Sequence, residues 1–293
     1  MTSTPQADYW RGQPGQVWAE RQVKMDEELG SLGRLALDRL APAPGESMVD
    51  IGCGGASTTL ELARRVGPEG RVVGIDFSTP QLEVARRRAR ELGLAQVSFL
   101  DADAETAVVP GAPFDGAFSR FGVMFFADPV AAFANIGRAM AAGGRLAFVC
   151  WQGAEANPWF TLAGRALSGL AGFELPPPPP PDGPGPLAFA DPDRVRTILV
   201  SAGWDQVSVD GHTDELVIPP ADLDETIRFR LGMGPVGAAL AEAPEAMREE
   251  AFRLARERFR AEGGDPDASS ADPSVPLRHQ RAVFVVTAVA GRH

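Results

Sequence analysis

Two carboxylates with a run of small residues between them are the part of this chain best equipped for chemistry. Val49-Asp50-Ile51-Gly52-Cys53-Gly54-Gly55-Ala56-Ser57 is followed by Val72-Val73-Gly74-Ile75-Asp76. An acid stands at the end of each apolar run. Gly52 and Gly54 let a ligand approach bare backbone, because no Cβ stands in the way. Asp76, closing the second run, is placed to accept both hydroxyls of a ribose. The frame G-x-G-x-x-G/A of dinucleotide sites fails at Ser57, whereas D-x-G-x-G-x-G is met by Asp50, Gly52 and Gly54, with Ala56 in place of the last glycine. The acid ahead of the first glycine decides the sign of the ligand. A carboxylate there repels a pyrophosphate and attracts an ammonium or a sulfonium.

S-adenosylmethionine carries both of those cations and no phosphate. To present Asp50 and Asp76 side by side, the chain must form a β-strand, a glycine turn, a helix and a parallel β-strand, the first unit of an open α/β sheet whose ligands bind at the strand ends. The pattern continues as strands alternating with helices as far as Cys150. The helix from Pro80 to Leu92 shows an apolar stripe at Leu82, Ala85, Ala89 and Leu92, and Asp128-Pro129 opens another helix, running to Met140. Apolar strands in this rhythm predict a mostly parallel sheet covered by helices on both faces.

The segment from Met48 to Trp151 resembles the core of class I S-adenosylmethionine-dependent methyltransferases. Asp76-Phe77-Ser78 with Gln81-Leu82-Glu83-Val84-Ala85-Arg86 resembles the family's second motif, which implies Asp76 at ribose, Phe77 packed on adenine and Gln81 nearby. Val97 to Glu105 resembles the third, implying Asp103 at the adenine amino group and the Ala104 backbone amide at the ring. Phe114 to Phe121 resembles the fourth strand and its active edge, which implies Ser119, Arg120 and Phe121 near the methionine part and the methyl group. Leu146-Ala147-Phe148-Val149, behind Ala142-Gly143-Gly144, resembles the fifth strand. The fold so implied is α/β, a doubly wound seven-stranded, mostly parallel sheet of Rossmann-like methyltransferase type, with a helical N-terminal cap and a lid insert. The final strand is implied to run antiparallel.

Residues 1–45 are expected as the helical cap, 46–210 as the cofactor-binding core with a Pro-rich loop at 174–190, 211–277 as the helical lid and 278–293 as the last strand and tail. Helical patterns run from Val17 to Leu29 and from Leu32 to Leu40, then stop at Pro42 and Pro44. Trp18 and Gln22 on the first of these are placed to close the pocket, or else to staple the cap to the sheet edge. Pro176 to Pro181 predicts an extended polyproline segment. Past Gly203 a strand begins at Val207. The lid carries helical patterns at Leu223–Leu231 and Ala246–Ala261, and the last strand spans Arg281–Val289.

Methyl transfer from a sulfonium is an in-line displacement with a neutral leaving group. It asks for alignment and exclusion of water, and for a base only where the nucleophile must lose a proton. The candidate proton acceptors are His212, His279 and Tyr9, each of which also reads as an ordinary structural residue; His293 reads as tail. Met124, Trp151, Trp159, Phe229 and Met233 supply an apolar chamber for a small hydrophobic or aromatic acceptor. O-, N- and C-methylation all stay open, a polyketide-, terpenoid- or quinone-type C-methyltransferase among them. Secondary metabolism is the expected setting, from a composition rich in Ala, Arg, Gly and Pro. Two rivals are a nicotinamide-dependent reductase, opposed by Ser57 and by the lack of a Tyr-x-x-x-Lys pair, and a cofactor-binding regulator without catalysis.

Composition narrows the partners. A formal charge of −11 opposes nucleic acid, and the basic run Arg86-Arg87-Arg88 with Arg90 reads as a solvated helix face. No apolar run is long enough to span a bilayer, and Met1 to Asp8 lacks the basic start and apolar stretch of a signal peptide. Cys53 and Cys150 form no metal-spaced pair, so no metal is expected and a reduced cytoplasmic setting is. The expected partner is a small-molecule acceptor, and self-association into a homo-oligomer is compatible with the sequence.

Overall fold

The computed structural model describes residues 5–177, 180, 182–263 and 274–291. Three helices come first: α1 (Pro5–Arg11), α2 (Gln13–Glu20) and α3 (Gln22–Leu40). The alternation follows with β1 (Ser47–Ile51), α4 (Ser57–Val66), β2 (Arg71–Asp76), α5 (Thr79–Glu91), β3 (Val97–Asp101), β4 (Phe114–Arg120), α6 (Pro129–Arg138) and β5 (Met140–Trp151). Then come α7 (Trp159–Leu167), α8 (Pro192–Ser201), β6 (Trp204–Ile218), α9 (Leu223–Leu231), α10 (Gly234–Ala241), α11 (Glu245–Gly263) and β7 (Leu277–Ala290).

The seven strands lie in the order β3-β2-β1-β4-β5-β7-β6. Pairs from β3 through β5 are parallel, and β7 runs antiparallel to β5 with Phe148 opposite Val286. The order reverses direction between β1 and β4, so the carboxyl ends of β1, β2 and β4 border a topological switch point, where open α/β sheets bind ligands. The central strands are buried along nearly their whole length, as expected of a sheet covered on both faces. Proline after aspartate sets two helix starts as the sequence suggests. Asp128 accepts from Ala131 N–H at 3.0 Å before Pro129, and Asp191 accepts from Asp193 N–H at 2.9 Å before Pro192.

Several expected boundaries move. The break placed near Gly30 is absent, because α3 runs unbroken from Gln22; the real breaks fall at Gly12 and Arg21. A lone glycine weakens a helix by only about 1 kcal/mol, and the buried stripe Met25, Leu32, Ala36, Leu37 and Leu40 outweighs it. The strand expected from Val207 starts at Trp204, whose fully buried indole donates to Phe133 O at 3.0 Å and anchors it. Helix α10 was not expected, since Gly234, Pro235 and Gly237 hide its apolar pattern. The helix begun at Pro129 stops at Arg138, and β5 includes the turn residues Gly143 and Gly144. Of the proline run, Pro176, Pro177 and Pro180 are in no regular element, while Pro178, Pro179 and Pro181 lie outside the described residues, as does His293.

The chain forms two compact units. The first holds Met1–Gln152, Pro181–His212 and Val283–His293, and the second Gly153–Pro180 and Thr213–Ala282. The second has its own apolar core, built on Leu162, Ile227, Ala251, Ala255 and Phe259.

Backbone crosses backbone at the switch point. A Cβ on Gly122 would lie 2.8 Å from Ile51 O and 2.9 Å from Gly52 Cα, and one on Gly52, whose φ is +67°, would lie 2.8 Å from Gly122 Cα. Neither strand end can retreat, since both belong to the central sheet. Gly122→Ala is expected to lower unfolding stability by about 1–3 kcal/mol, the usual cost of overpacking, read as a lower denaturation midpoint in urea with an unchanged slope.

Candidate active site

The first unit gathers most of the expected site residues around the ends of β1 and β2. Asp50 is wholly buried. Its Oδ2 accepts from Thr59 Oγ1 at 2.7 Å and Thr58 Oγ1 at 2.8 Å, both in the first turn of α4. Its Oδ1 is equally shielded and has no hydrogen-bond partner among the described residues. Burial pushes its pKa up from 3.8 to about 6, against the pull of the two threonines and of Arg120. Asp76 is differently held. Oδ2 accepts from Gly54 N–H at 2.9 Å and Oδ1 from Ser78 N–H at 2.7 Å, which fixes the carboxylate plane at the mouth of the glycine turn. Burial raises its pKa too, while these amides lower it and Asp101, its register partner on β3, raises it further.

Between the acids the turn is left-handed at Gly52, Gly54 (φ +51°) and Ala56 (φ +70°). Alanine thus adopts here the conformation that the expected glycine would have taken. A Cβ on Gly54 would stand 2.7 Å from Gln81 Oε1, so Gln81, buried on α5, lies against the turn. Gln22, buried on α3, lies against Gly55 from the other side.

The cap helices are tied to these strand ends by specific contacts. Ser78 Oγ donates to Trp10 O at 2.9 Å, and Arg11 Nε donates to Phe77 O at 3.1 Å. Trp10 meets Trp18 and Phe125 edge-on, with centroids 5.7 and 5.2 Å apart. Tyr9 packs edge-on to Trp10 and is 40% exposed, far from the burial expected of a base in a sealed site. At the centre of the cap is Asp26. It accepts from Gln22 Nε2 at 2.8 Å, from Arg88 at 2.8 Å and from Arg120 at 3.3 Å, while Arg88 also donates to Gly55 O at 2.8 Å.

This corrects one expectation. Arg88 is not part of a solvated face; it is turned inward at the glycine loop, whereas Arg87 is largely exposed beside Glu91. The signal was in the spacing, because Arg88 shares a helical stripe with the buried Gln81 and Ala85. Asp26, Thr58, Thr59 and Gly122 were also missed. Thr58 and Thr59 were legible as hydroxyls one turn after an acid-capped strand. Nothing in the sequence singles out Asp26.

Other candidates fall as follows. Ser119 is buried; its Oγ donates to Ile51 O at 2.7 Å and accepts from Gly122 N–H at 3.2 Å, pinning the crossing of β1 and β4. Phe121, at φ +62°, stacks on Trp151 with centroids 4.4 Å apart. Met124 is buried and its carbonyl accepts from Gly185 N–H at 3.0 Å. Asp103 accepts from Glu105 N–H at 3.0 Å in a tight turn beside the buried Ala104. His212, half-buried, borders a shallow surface depression with Arg39 and Asp210. Trp159, Phe229, Met233 and His279 belong to the second unit. Among the described residues, no group of three or more His, Cys, Asp or Glu could hold a metal ion, and no helix is long and apolar enough to cross a membrane.

What the strand-end arrangement can do is bind a polar, partly cationic nucleoside against bare backbone, with an apolar wall behind it. Known proteins agree. Residues 48–144 match a family model described as a methyltransferase domain. Aklanonic acid methyltransferase of Streptomyces sp. (strain C5) is 38% identical over 117 residues, 40% of this chain and 53% of that one. Nocamycin O-methyltransferase of Saccharothrix syringae is 34% identical over 115 residues, 39% of this chain and 41% of that one. The chain therefore matches only 41% to 53% of the length of these relatives. In three dimensions, the YcgJ protein of Bacillus subtilis overlays 91% of this chain and 99% of its own at a TM-score of 0.54 and 15% identity, a likeness of fold. The matched segment holds both acid-capped strands and the turn between them, and it is in this segment that the chain is similar to methyltransferases.

Proposed function

We propose that this protein transfers a methyl group from S-adenosylmethionine to a small hydrophobic or aromatic metabolite. The observation that carries the reading is the buried carboxylate of Asp50, with one oxygen unpartnered, one strand away from Asp76. Burial raises the pKa of both acids and the charge of Asp76 raises that of Asp50 further, so the pair favours a ligand with positive charge. The residues fit such a nucleoside. Asp76 keeps a lone pair on each oxygen beyond its amide contacts and would take the ribose hydroxyls. Asp50 would face the cationic end, the left-handed glycines would let the ligand reach backbone, and Phe77, Asp103 and Ala104 would take the adenine. When bound, the cofactor supplies a methyl group on a positively charged sulfur.

The chain's own part is alignment and exclusion of water. Asp26 holds Arg88 and Arg120 together, and so draws α3 down on the glycine turn. Trp10, Trp18 and Phe125 form an aromatic seal beside it. Phe121, Met124 and Trp151 give the first unit an apolar wall after β4 and β5. Trp159, Phe229 and Met233, expected for the acceptor, lie in the second unit. The relatives named for aklanonic acid and nocamycin support a metabolite acceptor in secondary metabolism, the free cysteines Cys53 and Cys150 suit a reducing cytoplasmic setting, and the charge of −11 argues against a nucleic acid.

Calorimetry with S-adenosylhomocysteine tests the cofactor assignment, and labelled methyl transfer into an extract of candidate acceptors tests the activity. Binding of NAD in place of the nucleoside would overturn both. Asp76→Ala is expected to weaken S-adenosylhomocysteine by about 1.5–3 kcal/mol, the scale of hydrogen bonds to a charged group; unchanged affinity would place the ribose elsewhere.

The pH dependence has a definite sign. Asp50 attracts a cation only when ionised, so affinity should fall as pH drops through about 6. In the free protein the raised pKa means that the folded state holds this proton more tightly than the unfolded chain. Ionising Asp50 therefore costs stability as pH rises from 3.8 through about 6. Asp50→Asn should flatten both dependences, as read by calorimetry and by urea unfolding from about pH 4 to pH 8.

Asp26→Asn should speed dissociation of S-adenosylhomocysteine roughly tenfold, on the scale of one charge-assisted hydrogen bond. Stopped-flow fluorescence of the cap tryptophans would follow it, and an unchanged off-rate would mean that the cap is held without this clamp.

A further inference from the structure

One edge of the sheet is left open beside a basic groove. β3 stands last in the sheet and, among the described strands, pairs with β2 alone. Val72 N–H donates to Gln96 O at 3.0 Å and Ala102 N–H to Asp76 O at 3.1 Å, so the even-numbered residues of this segment turn their backbone groups to β2. The odd-numbered residues turn theirs outward. Val97 N–H donates to Leu94 O at 3.3 Å, which leaves Val97 O and both backbone groups of Phe99 along the free edge. A free edge is a template for another strand, and sheets blunt it with Lys, Pro or a bulge. Val97-Ser98-Phe99-Leu100-Asp101 has no Lys or Pro, and its register with β2 runs without a shift.

Between this edge and the C-terminal half of α5 runs an open groove of about 460 Å³. Its floor is apolar: Ala89 is buried, and Leu94, Val97 and Phe99 are half-buried at the margin of the cluster built on Leu60 and Ala85. Its wall is basic. Arg87 pairs with Glu91, and Arg88 turns in to Asp26. Arg86 and Arg90, one helical turn apart, line the groove, and among the described residues neither has an acidic partner. Asp101, at the far end of β3, is already engaged by Thr79 Oγ1 at 3.1 Å and by Arg11 at 3.5 Å. In a chain of net charge −11, two uncompensated cations beside an apolar floor select for negative charge.

Spacing sets the form of the occupant. Residues four apart, as Arg86 and Arg90 are, stand about 6 Å apart along a helix axis. Alternate side chains of an extended chain share one face at about 6.7 Å. A strand added to β3 would therefore offer two carboxylates, on alternate residues, to the two guanidinium groups, and a third side chain to Leu94 and Val97, while its backbone pairs with Phe99. A second copy of this chain fits poorly, because two-fold pairing of β3 edges would bring each basic wall toward its equal. A nucleic acid would meet the cations and leave the strand edge unpaired.

We propose that the β3 edge and the groove beside it dock an extended acidic segment of a partner protein by strand addition. This holds whatever the ends of β1 and β2 bind.

The test uses the full chain, labelled with ²H and ¹⁵N, and two acetylated peptides, Leu-Thr-Glu-Thr-Glu-Thr and Leu-Thr-Gln-Thr-Gln-Thr. The acidic peptide should bind about fivefold more tightly, the scale of two exposed ion pairs, and the preference should shrink as salt is raised. Arg86→Glu combined with Arg90→Glu should remove the preference. Arg86 is half-buried and Arg90 exposed, so the urea midpoint of that variant should not fall. Strand pairing has its own readout, which a loose charge contact would not move. The Phe99 amide, identified by its loss in Phe99→Leu under ¹⁵N-phenylalanine labelling, should shift on adding the acidic peptide and exchange its hydrogen more slowly. No binding at millimolar peptide, equal affinities, a preference that survives the double substitution, or an unmoved Phe99 amide would each overturn the proposal. So would tighter binding of an RNA hexamer than of the acidic peptide, or a dimer in sedimentation that the double substitution disperses.

Discussion

Keeping a carboxylate in the dry middle of a sheet is the constraint around which the first unit is arranged. Asp50 ends a strand with neighbours on both sides, so water cannot reach it, and an isolated buried charge is costly unless hydrogen bonds compensate. Two threonines at the start of α4 supply part of that compensation. They can do so only because the turn between β1 and α4 is tight enough to bring the helix N-terminus back over the strand end. That tightness demands left-handed backbone at Gly52, Gly54 and Ala56. The same tightness puts Gly54 N–H onto Asp76. One buried acid therefore accounts for the hydroxyls after the turn, the small residues within it and the orientation of the second acid.

The compensation is incomplete, and the shortfall makes chemical sense. A fold selected only for stability would have no reason to leave Oδ1 of Asp50 unpartnered or to set three acids, Asp50, Asp76 and Asp101, at the ends of adjacent parallel strands. Helix dipoles and the cap arginines offset some of the repulsion. Asp26 shares itself between Arg88 and Arg120, so the cap brings one negative charge and gathers two positive ones beside the turn. Charge of both signs is thus gathered beside the turn, with the Arg120 charge also favouring ionised Asp50.

This arrangement also decides what could be read from the sequence. Acid-capped apolar strands, glycine turns and Asp-Pro helix starts are local, and each is set by backbone sterics within a few residues. They were legible, and with them the sheet, its parallel order and the place of the glycine turn. The clamp was not. Asp26 meets Arg88 and Arg120 across 62 and 94 residues, and on α3 it is one acid among neighbours such as Glu27 and Glu28. Ser119 reads as a site residue from its position at a strand end, yet both of its hydrogen bonds go to backbone, a use that only the crossing with Gly122 reveals. Arg88 lay between the two cases, because its helical stripe pointed inward while its charge pointed outward.

Phe121 shows how the pieces depend on one another. A bulky residue at positive φ is a true outlier and costs on the order of 1–3 kcal/mol. Its N–H donates to Val149 O at 3.0 Å and its ring stacks on Trp151 at an interplanar angle of 12°, so both ends of the residue are fixed to β5. Immediately after it the chain passes over Gly52 at Gly122, where no side chain fits. Relaxing Phe121 to negative φ would swing that crossing away from β1 and release Ser119 from Ile51 O. The strain is therefore held in place by the contacts that fix the end of β4. A conformation with less strain would have to give up the close approach of β1 and β4, and with it the narrow turn that presents Asp50.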